Sequence, residues 1–309
     1  MALRRTFFHA LILTLALTAI GANFVAYTRP WFLHWGATPD ELTRGLPGDE
    51  IVPNAVSQYT RAVTIQAPVE QVWPWLAQLG QDRGGFYSFD LLENIVGCQM
   101  PVEDVLLPEK QTWQEGDRLW MYPRERAGGA GFATLRTYVP GHAMGFSTRA
   151  LGTTLEEPED GSWSFVLDPI DDRTTRFTIR GRLAPGRSMA GQVFDVAFFE
   201  PVHFFMERRM MLGIKALAEG RDRDRIANHA QVGLWVMGFA VLVGAGVLIV
   251  RRRDWLRPLV TLLAAALVFQ ILTLGQPPLL VGVVLTALVA GLFVRDLLRY
   301  EPAQQWGVS

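Results

Sequence analysis

A histidine between two carboxylates is the group of residues in this sequence best suited to acid–base chemistry. Glu200, His203 and Glu207 are separated by three and four residues, a spacing that brings side chains together on one side of a helix. Acids beside a histidine raise its pKa, and the imidazole can then donate or accept a proton. The alternative is structural, with Glu207 paired to an arginine and His203 capping an apolar face. The sequence leaves both interpretations open.

The sequence gives little support for a metal site or for nucleic-acid binding. A zinc site needs three or four ligands, and His142 stands apart from His203 on a predicted turn. The single cysteine, Cys98, excludes an internal disulfide and a cysteine-rich metal site. The formal net charge of −1 gives no overall field that would attract nucleic acid. We therefore predict no metal, no cofactor and no nucleic-acid partner.

A second polar cluster lies in the first half of the chain and comprises Arg83, Tyr87, Asp90, Glu93 and Asn94. The adjacent Gly84-Gly85 pair permits positive φ beside Arg83, which suits a mouth for the polar end of a ligand. Tyr87, Asp90 and Asn94 are spaced to share one helical face. The alternative is an ordinary helix start with favourably placed acids and an Arg–Asp salt bridge that holds the loop.

The elements that must position these residues follow an α+β order: a strand, two short helices, several antiparallel strands and a long helix. Alternation predicts the first strand at Tyr59–Ile65, and Pro68 opens the first helix. The second helix is predicted over Ser88–Val96, with Ser88 as its N-cap. The long helix is predicted over Met189–Ala218. The other predicted strands are Asp117–Tyr122, Ala133–Val139, Ala143–Thr148, Trp163–Leu167 and Arg176–Leu183.

At about 100° per residue, one face of the long helix is apolar and contains Phe199, Met206, Met210 and Leu217. His203 lies at the edge of this face, with Glu200 and Glu207 just beyond it. Methionine suits an adaptable apolar pocket, although residues of this kind also fill ordinary cores. The predicted ligand-binding residues are Arg83, Tyr87, Asp90, Trp73, Phe199, Met206 and Met210.

Four segments without Asp, Glu, Lys or Arg are long enough, with their flanks, to cross a bilayer: Phe7–Tyr27, Val232–Val250, Pro258–Leu274 and Leu279–Val294. Because none holds a buried acid or base, they indicate an anchor and not a channel. Arg4 and Arg5 before the first segment also describe a signal peptide, but the segment is long and lacks a clean cleavage site. This favours an uncleaved anchor.

The flanking arginines predict the orientation of a multi-pass protein in the cell membrane. They fall on one side if the chain crosses four times, so both termini are predicted to be cytoplasmic and the central domain extracytoplasmic. The arginines before the second segment argue against this, but they alternate with aspartates. The predicted domains are an anchor over 1–30, a central domain over 31–220 and a three-helix membrane region over 221–309.

Several separate segments of the central domain resemble the SRPBCC superfamily, the START-like, helix-grip proteins that include polyketide cyclases and lipid-transport proteins. These segments are Trp35–Ala37, Leu46–Asp49, Thr60–Pro68 with Val72–Leu76, Arg83–Asp90, Leu92–Asn94 and His203–Met210. The narrower resemblance is to a bacterial subfamily, here with a membrane anchor. It implies a curved antiparallel sheet around a long C-terminal helix and an apolar cavity. Relatives bind lipids, sterols or polyketides, and some catalyse cyclisation, but no set of catalytic residues carries over.

Three functions follow as hypotheses. The first is membrane-tethered binding of a hydrophobic small molecule or lipid. The second is a cyclase or hydratase activity that uses His203 with Glu200 or Glu207. The third is a ligand sensor, because the long helix leads almost directly into the next membrane segment. Whether the protein is an enzyme, and its oligomeric state, are not decided by the sequence.

Overall fold

The computed structural model describes residues 2–102, 104–126, 131–149, 159–252 and 254–299. The chain divides into two compact units. One unit is Pro30–Arg223, and the other combines Met1–Arg29 with Asp224–Ser309.

The unit Pro30–Arg223 is built on a six-stranded, curved antiparallel sheet with the strand order β1-β6-β5-β4-β3-β2. All six predicted strands are present, which confirms the α+β class. The fifth strand extends past its predicted end at Leu167, because Asp168 and Pro169 still pair with the neighbouring strand. The strands are β1 Ser57–Ile65, β2 Arg118–Trp120, β3 Phe132–Val139, β4 Ala143–Thr148, β5 Gly161–Asp171 and β6 Thr174–Leu183.

The long helix is present with the predicted bounds, Met189–Ala218, and it contains one irregular turn. Ser188 caps its start, because its hydroxyl accepts a hydrogen bond from the Gly191 amide at 3.1 Å. A π-helical turn at Asp195–Phe199 divides it into α6 and α7. The helices of this unit are α2 Arg29–Leu33, α3 Pro39–Thr43, α4 Val69–Ala77, α5 Asp90–Ile95, α6 Met189–Phe194 and α7 Glu200–Ala218.

The second short helix is shorter than predicted. It begins at Asp90, and Ser88 is not its N-cap. The Ser88 hydroxyl instead donates to the Met206 backbone carbonyl at 2.7 Å. Tyr87, with a φ of 53°, takes a left-handed conformation that is incompatible with a helix continuing through it. A long-range contact to α7 therefore replaces the local cap.

The core lies between the sheet and the helices α4 and α7, an arrangement that matches the helix-grip architecture. Large side chains pack across this layer. The Trp163 and Phe165 rings lie 4.6 Å apart on β5, and the Trp113 and Phe146 rings lie 5.5 Å apart. Much of the space in which the resemblance implies an apolar cavity is thus occupied by aromatic side chains.

In the other unit, helices α1 Ala2–Asn23, α8 Arg225–Arg251, α9 Leu256–Gln270 and α10 Leu279–Leu298 pack together. Small residues permit this packing: a Cβ added at Gly244 would lie 2.5 Å from the Phe293 ring. Within the described residues, four helices are long and apolar enough to cross a membrane: Phe7–Leu33, Arg225–Arg251, Leu256–Gly275 and Leu279–Leu298.

The prediction that these segments hold no buried acid or base is wrong at His9, and the helix α10 extends past its predicted segment to a buried acid, Asp296. His9 in α1 and Asp296 in α10 are both buried. The Asp296 carboxylate accepts from the Thr261 hydroxyl at 2.7 Å and from the Arg295 guanidinium at 2.9 Å. Asp296 lies two residues past the predicted end of its segment, and a count of Asp, Glu, Lys and Arg does not include histidine. The Asp296–Thr261 contact ties α10 to α9.

Candidate functional site

Glu207 is the centre of a buried polar cluster on α7. Its side chain is 1% exposed, and three donors from two strands reach its oxygens. They are Arg61 Nη1 at 2.7 Å, Trp163 Nε1 at 2.7 Å and the Tyr59 hydroxyl at 3.1 Å. A buried carboxylate needs such donors, because desolvation otherwise disfavours its charge.

Arg61, the partner of Glu207, is equally buried. It stands on β1 at an inward position between Tyr59 and Val63, which also pack on the core. Its Nε donates to the Phe32 carbonyl at 2.9 Å, and its guanidinium lies 4.1 Å from the Tyr59 ring centroid. The guanidinium is thus held by an acid, a carbonyl and an aromatic ring.

His203 lies beside this ion pair, and its side chain is 24% exposed. Burial is the main cause that lowers its pKa, the charge of Arg61 acts in the same direction, and Glu207 only partly opposes them. The prediction that neighbouring acids raise the pKa of His203 is therefore wrong. The ring is surrounded by three aromatic rings with centroids 5.4 to 5.7 Å away: Phe199, Trp163 and Tyr59.

The three residues predicted for acid–base chemistry are only partly brought together. His203 Nδ1 lies 3.8 Å from Glu207 Oε2, which is too long for a hydrogen bond. That oxygen already accepts from Trp163 and Tyr59. Glu200 lies in the first turn of α7, half-buried, where its charge helps to raise the pKa of Asp195. The geometry therefore favours the structural interpretation of Glu207.

The second predicted cluster is brought together only in part. Arg83 donates to the Lys110 carbonyl at 2.7 Å, and its guanidinium lies 3.7 Å from the Trp113 ring centroid. Arg83 thus holds the loop through a backbone carbonyl and an aromatic ring. The predicted alternative was an Arg–Asp salt bridge. Tyr87 is a core residue with its ring 5.9 Å from that of Trp75.

The acids of this cluster lie on α5. Asp90 is buried, and the Asn94 side chain accepts from the Met100 amide at 2.7 Å. Burial, with Asp90 as a second cause, raises the pKa of Glu93 to about 7. Cys98 is also buried; burial is the main cause that raises the pKa of its thiol, and the charge of Glu93 acts in the same direction. Tyr87 stands outside the helix that was predicted to align it with these acids.

The apolar residues predicted to bind a ligand differ in how deeply they are buried. Met210 belongs to the core, whereas Trp73 and Met206 are half-buried and Phe199 is exposed. Phe199 lies outside the core, and its ring stacks on that of His203 at 5.4 Å. The buried side of α7 comprises Phe204, Glu207, Met210, Met211, Gly213, Ile214, Leu217 and Ala218.

A cavity of about 410 Å³ lies at the C-terminal end of α7, next to α4. It is widely open to solvent, and its volume is within the range of small-molecule sites. A second cavity, of about 330 Å³, is lined mainly by polar residues such as Glu50, Arg136 and Glu159. The first cavity combines an apolar side, formed by Trp75, Leu106, Leu217 and Ala218, with a polar rim that includes Gln66, Glu70, Gln71 and Glu219.

Sequence reasoning missed two features of these sites. Arg61 carries a signal, because it interrupts the inward, apolar side of a strand and must find a buried acid. The cavity beside Leu217 carries none, because its lining comes from three segments that are distant in the chain. Among the described residues, no three His, Cys, Asp or Glu side chains are grouped so that they could hold a metal ion.

No protein-family model and no curated protein matches the chain. Solved structures do match at low identity. The Zhui aromatase/cyclase from Streptomyces sp. R1128 is 16% identical, with 54% of this chain and 96% of that chain covered and a TM-score of 0.32. A polyketide-cyclase-like protein from Corynebacterium glutamicum is 15% identical, with 60% and 96% covered and a TM-score of 0.25. A protein from Nitrosospira multiformis is 17% identical, with 52% and 94% covered and a TM-score of 0.31. Because these TM-scores are below 0.5, no residue role or activity is taken from these proteins.

Proposed function

We propose that this protein is a membrane-tethered module that binds a hydrophobic small molecule or lipid through the cavity between α4 and α7. The observation that carries the proposal is the cavity itself: about 410 Å³, with Trp75, Leu106 and Leu217 on its apolar side. An apolar surface with a few polar groups at its rim suits a ligand with a hydrocarbon body and one polar end.

The place of the cavity in the chain supports a lipid-like ligand. Gly220, one of its lining residues, precedes the first residue of α8, Arg225, by five positions. The helix α8 is one of the four candidate spans. A site tethered in this way meets membrane-dissolved molecules at a high effective concentration.

The acid–base alternative is less well supported. An enzyme that used His203 with Glu207 would need a carboxylate oxygen free to orient the imidazole. Both oxygens of Glu207 accept hydrogen bonds from Arg61, Trp163 or Tyr59. We therefore assign Glu207 to the framework of the domain and the ligand to the cavity.

The test compares the lipids that co-purify with the full chain and with a variant whose cavity is filled. Gln71→Trp places an indole in the cavity from an exposed position on α4, so the core stays intact. The matched control, Ile51→Trp, fills the polar cavity. Native mass spectrometry of each detergent-purified protein counts the bound hydrophobic molecules.

We expect the wild type and Ile51→Trp to retain one more hydrophobic molecule than Gln71→Trp. Lipids held by the membrane helices are common to all three proteins and cancel in the comparison. Equal occupancy in the three proteins, with unchanged thermal midpoints, would show that the cavity is not the binding site.

A further inference from the structure

The first part of the long helix, Met189–Phe199, exposes an unusual amount of apolar surface. Met189 is 81% exposed, Val193 63% and Phe198 52%. Ala190, Phe194 and Ala197 are exposed as well. Monomeric soluble proteins seldom expose contiguous apolar patches of large side chains, and such patches mark contacts with membranes or other proteins.

The one charged residue of this segment, Asp195, is paired and largely buried. The Asp195 carboxylate lies 2.8 Å from Arg187 Nε, and burial raises the pKa of Asp195. The exposed polar side chains are also engaged locally: Gln192 Nε2 donates to the Arg187 carbonyl at 3.1 Å, and the Ser188 hydroxyl caps the helix. The outward face therefore offers hydrocarbon and almost no hydrogen-bonding capacity, which is the reverse of a normal surface helix.

The same helix packs against the end of a candidate span. Trp31 and Phe32 lie in the last turn of the apolar helix Phe7–Leu33 and belong to the same unit as α7. The Phe204 ring contacts both, with centroid distances of 5.6 Å to Trp31 and 5.2 Å to Phe32. Phe204 lies five residues after Phe199, so the exposed segment ends close to the residues Trp31 and Phe32.

We propose that Met189–Phe199 lies in the interfacial layer of the bilayer, with Met189, Val193, Phe194 and Phe198 at the boundary between head groups and acyl chains. Amphipathic helices bind membranes in this way, through an apolar face that enters the interface. Aromatic residues such as Trp31 are enriched at the same level. The proposal depends on the first span and not on the ligand cavity, so either can fail alone.

Spin-label accessibility in nanodiscs tests this placement with the full chain. Cys98, the sole cysteine, is buried, and Cys98→Ala provides the background. Nitroxides are attached at Val193→Cys and Phe198→Cys, and Val139→Cys is the matched control, an exposed valine on β3. The discs contain phosphatidylcholine and phosphatidylglycerol, and collisions with oxygen and with a water-soluble nickel complex are measured.

We expect the ratio of oxygen to nickel collisions to be several-fold higher at 193 and 198 than at 139, because oxygen concentrates in acyl chains. Nickel access at 193 and 198 equal to that at 139 would overturn the proposal by placing the segment in water. Protection of both positions from oxygen and nickel alike would also overturn it and would indicate that a protein surface, such as a second copy, covers the segment.

Discussion

Two carboxylates in the unit Pro30–Arg223 are shielded from water but have different neighbours. Glu207 is almost completely inaccessible and receives Arg61, Trp163 and Tyr59 as donors. Glu93 is less deeply placed but lies beside another acid, Asp90, and its pKa is raised to about 7.

The difference shows that the donors around a buried acid, more than its depth, decide whether its charge is accommodated. Arg223, the cation that favours the ionised form of Glu93, is bound at 2.7 Å to the carboxylate of Asp104. Glu207 has a guanidinium at the same distance for itself. One acid is a structural tie, and the other is a group whose protonation changes near neutral pH.

The largest effect on this comparison is expected when the Arg61 guanidinium is removed. Arg61→Met should lower the free energy of unfolding by about 3–5 kcal/mol, because Glu207 would be left buried without its counter-ion. The change is measured by unfolding of the detergent-purified chain, followed by tryptophan fluorescence. The double variant Arg61→Met/Glu207→Leu should recover much of the loss. A single variant within about 1 kcal/mol of the wild type would contradict the role given to the pair.

A smaller effect is expected at Glu93. A carboxyl with a raised pKa binds its proton more tightly when folded, so wild-type stability should fall as pH rises from about 4.5 to about 7. Glu93→Gln removes this fall and should be more stable by about 1–3 kcal/mol above pH 7, with little difference near pH 4.5. Unfolding free energies at several pH values measure the slope.

The control substitution for that slope is Glu70→Gln, which makes the same chemical change at an exposed acid of α4. A gain from Glu93→Gln that is the same at every pH would point to packing and not to ionisation.

The smallest effect is expected at His203, which is partly exposed. Its pKa is lowered, so the folded state disfavours the protonated imidazole, and this group reduces stability as pH falls below about 6.5. His203→Gln should therefore gain stability relative to wild type at pH 5.5 and show no such gain at pH 8. A relative gain that appears only at alkaline pH would reverse the sign and refute this description.

Local patterns predicted much of the architecture. The bounds of β4, Ala143–Thr148, and of the long helix, Met189–Ala218, follow from alternation, turns and helical periodicity within each segment. The membrane segments follow from the same kind of information, since their length and composition are properties of short stretches.

The site could be predicted only in part, because its decisive contacts join distant segments. Arg61 and Glu207 are separated by 146 positions. The sequence of a helix face shows that a carboxylate is present. It does not show whether hydrogen-bond donors from distant segments occupy the carboxylate oxygens. The Ser88 hydroxyl illustrates the same limit: it fits a local cap, yet it bonds to Met206, 118 positions away.

The π-helical turn at Asp195–Phe199 has a consequence for how the long helix can vary. Such a turn contains one residue more than an α-helical turn, so the segments before and after it are out of phase by one position. That phase difference exists only on a sequence wheel drawn at about 100° per residue, because the extra residue is absorbed within the wider turn. Deletion of one residue there would restore an α-helical turn and leave the apolar side chains of α6 and α7 facing their present directions. The long helix can thus gain or lose this residue without turning the exposed face of α6.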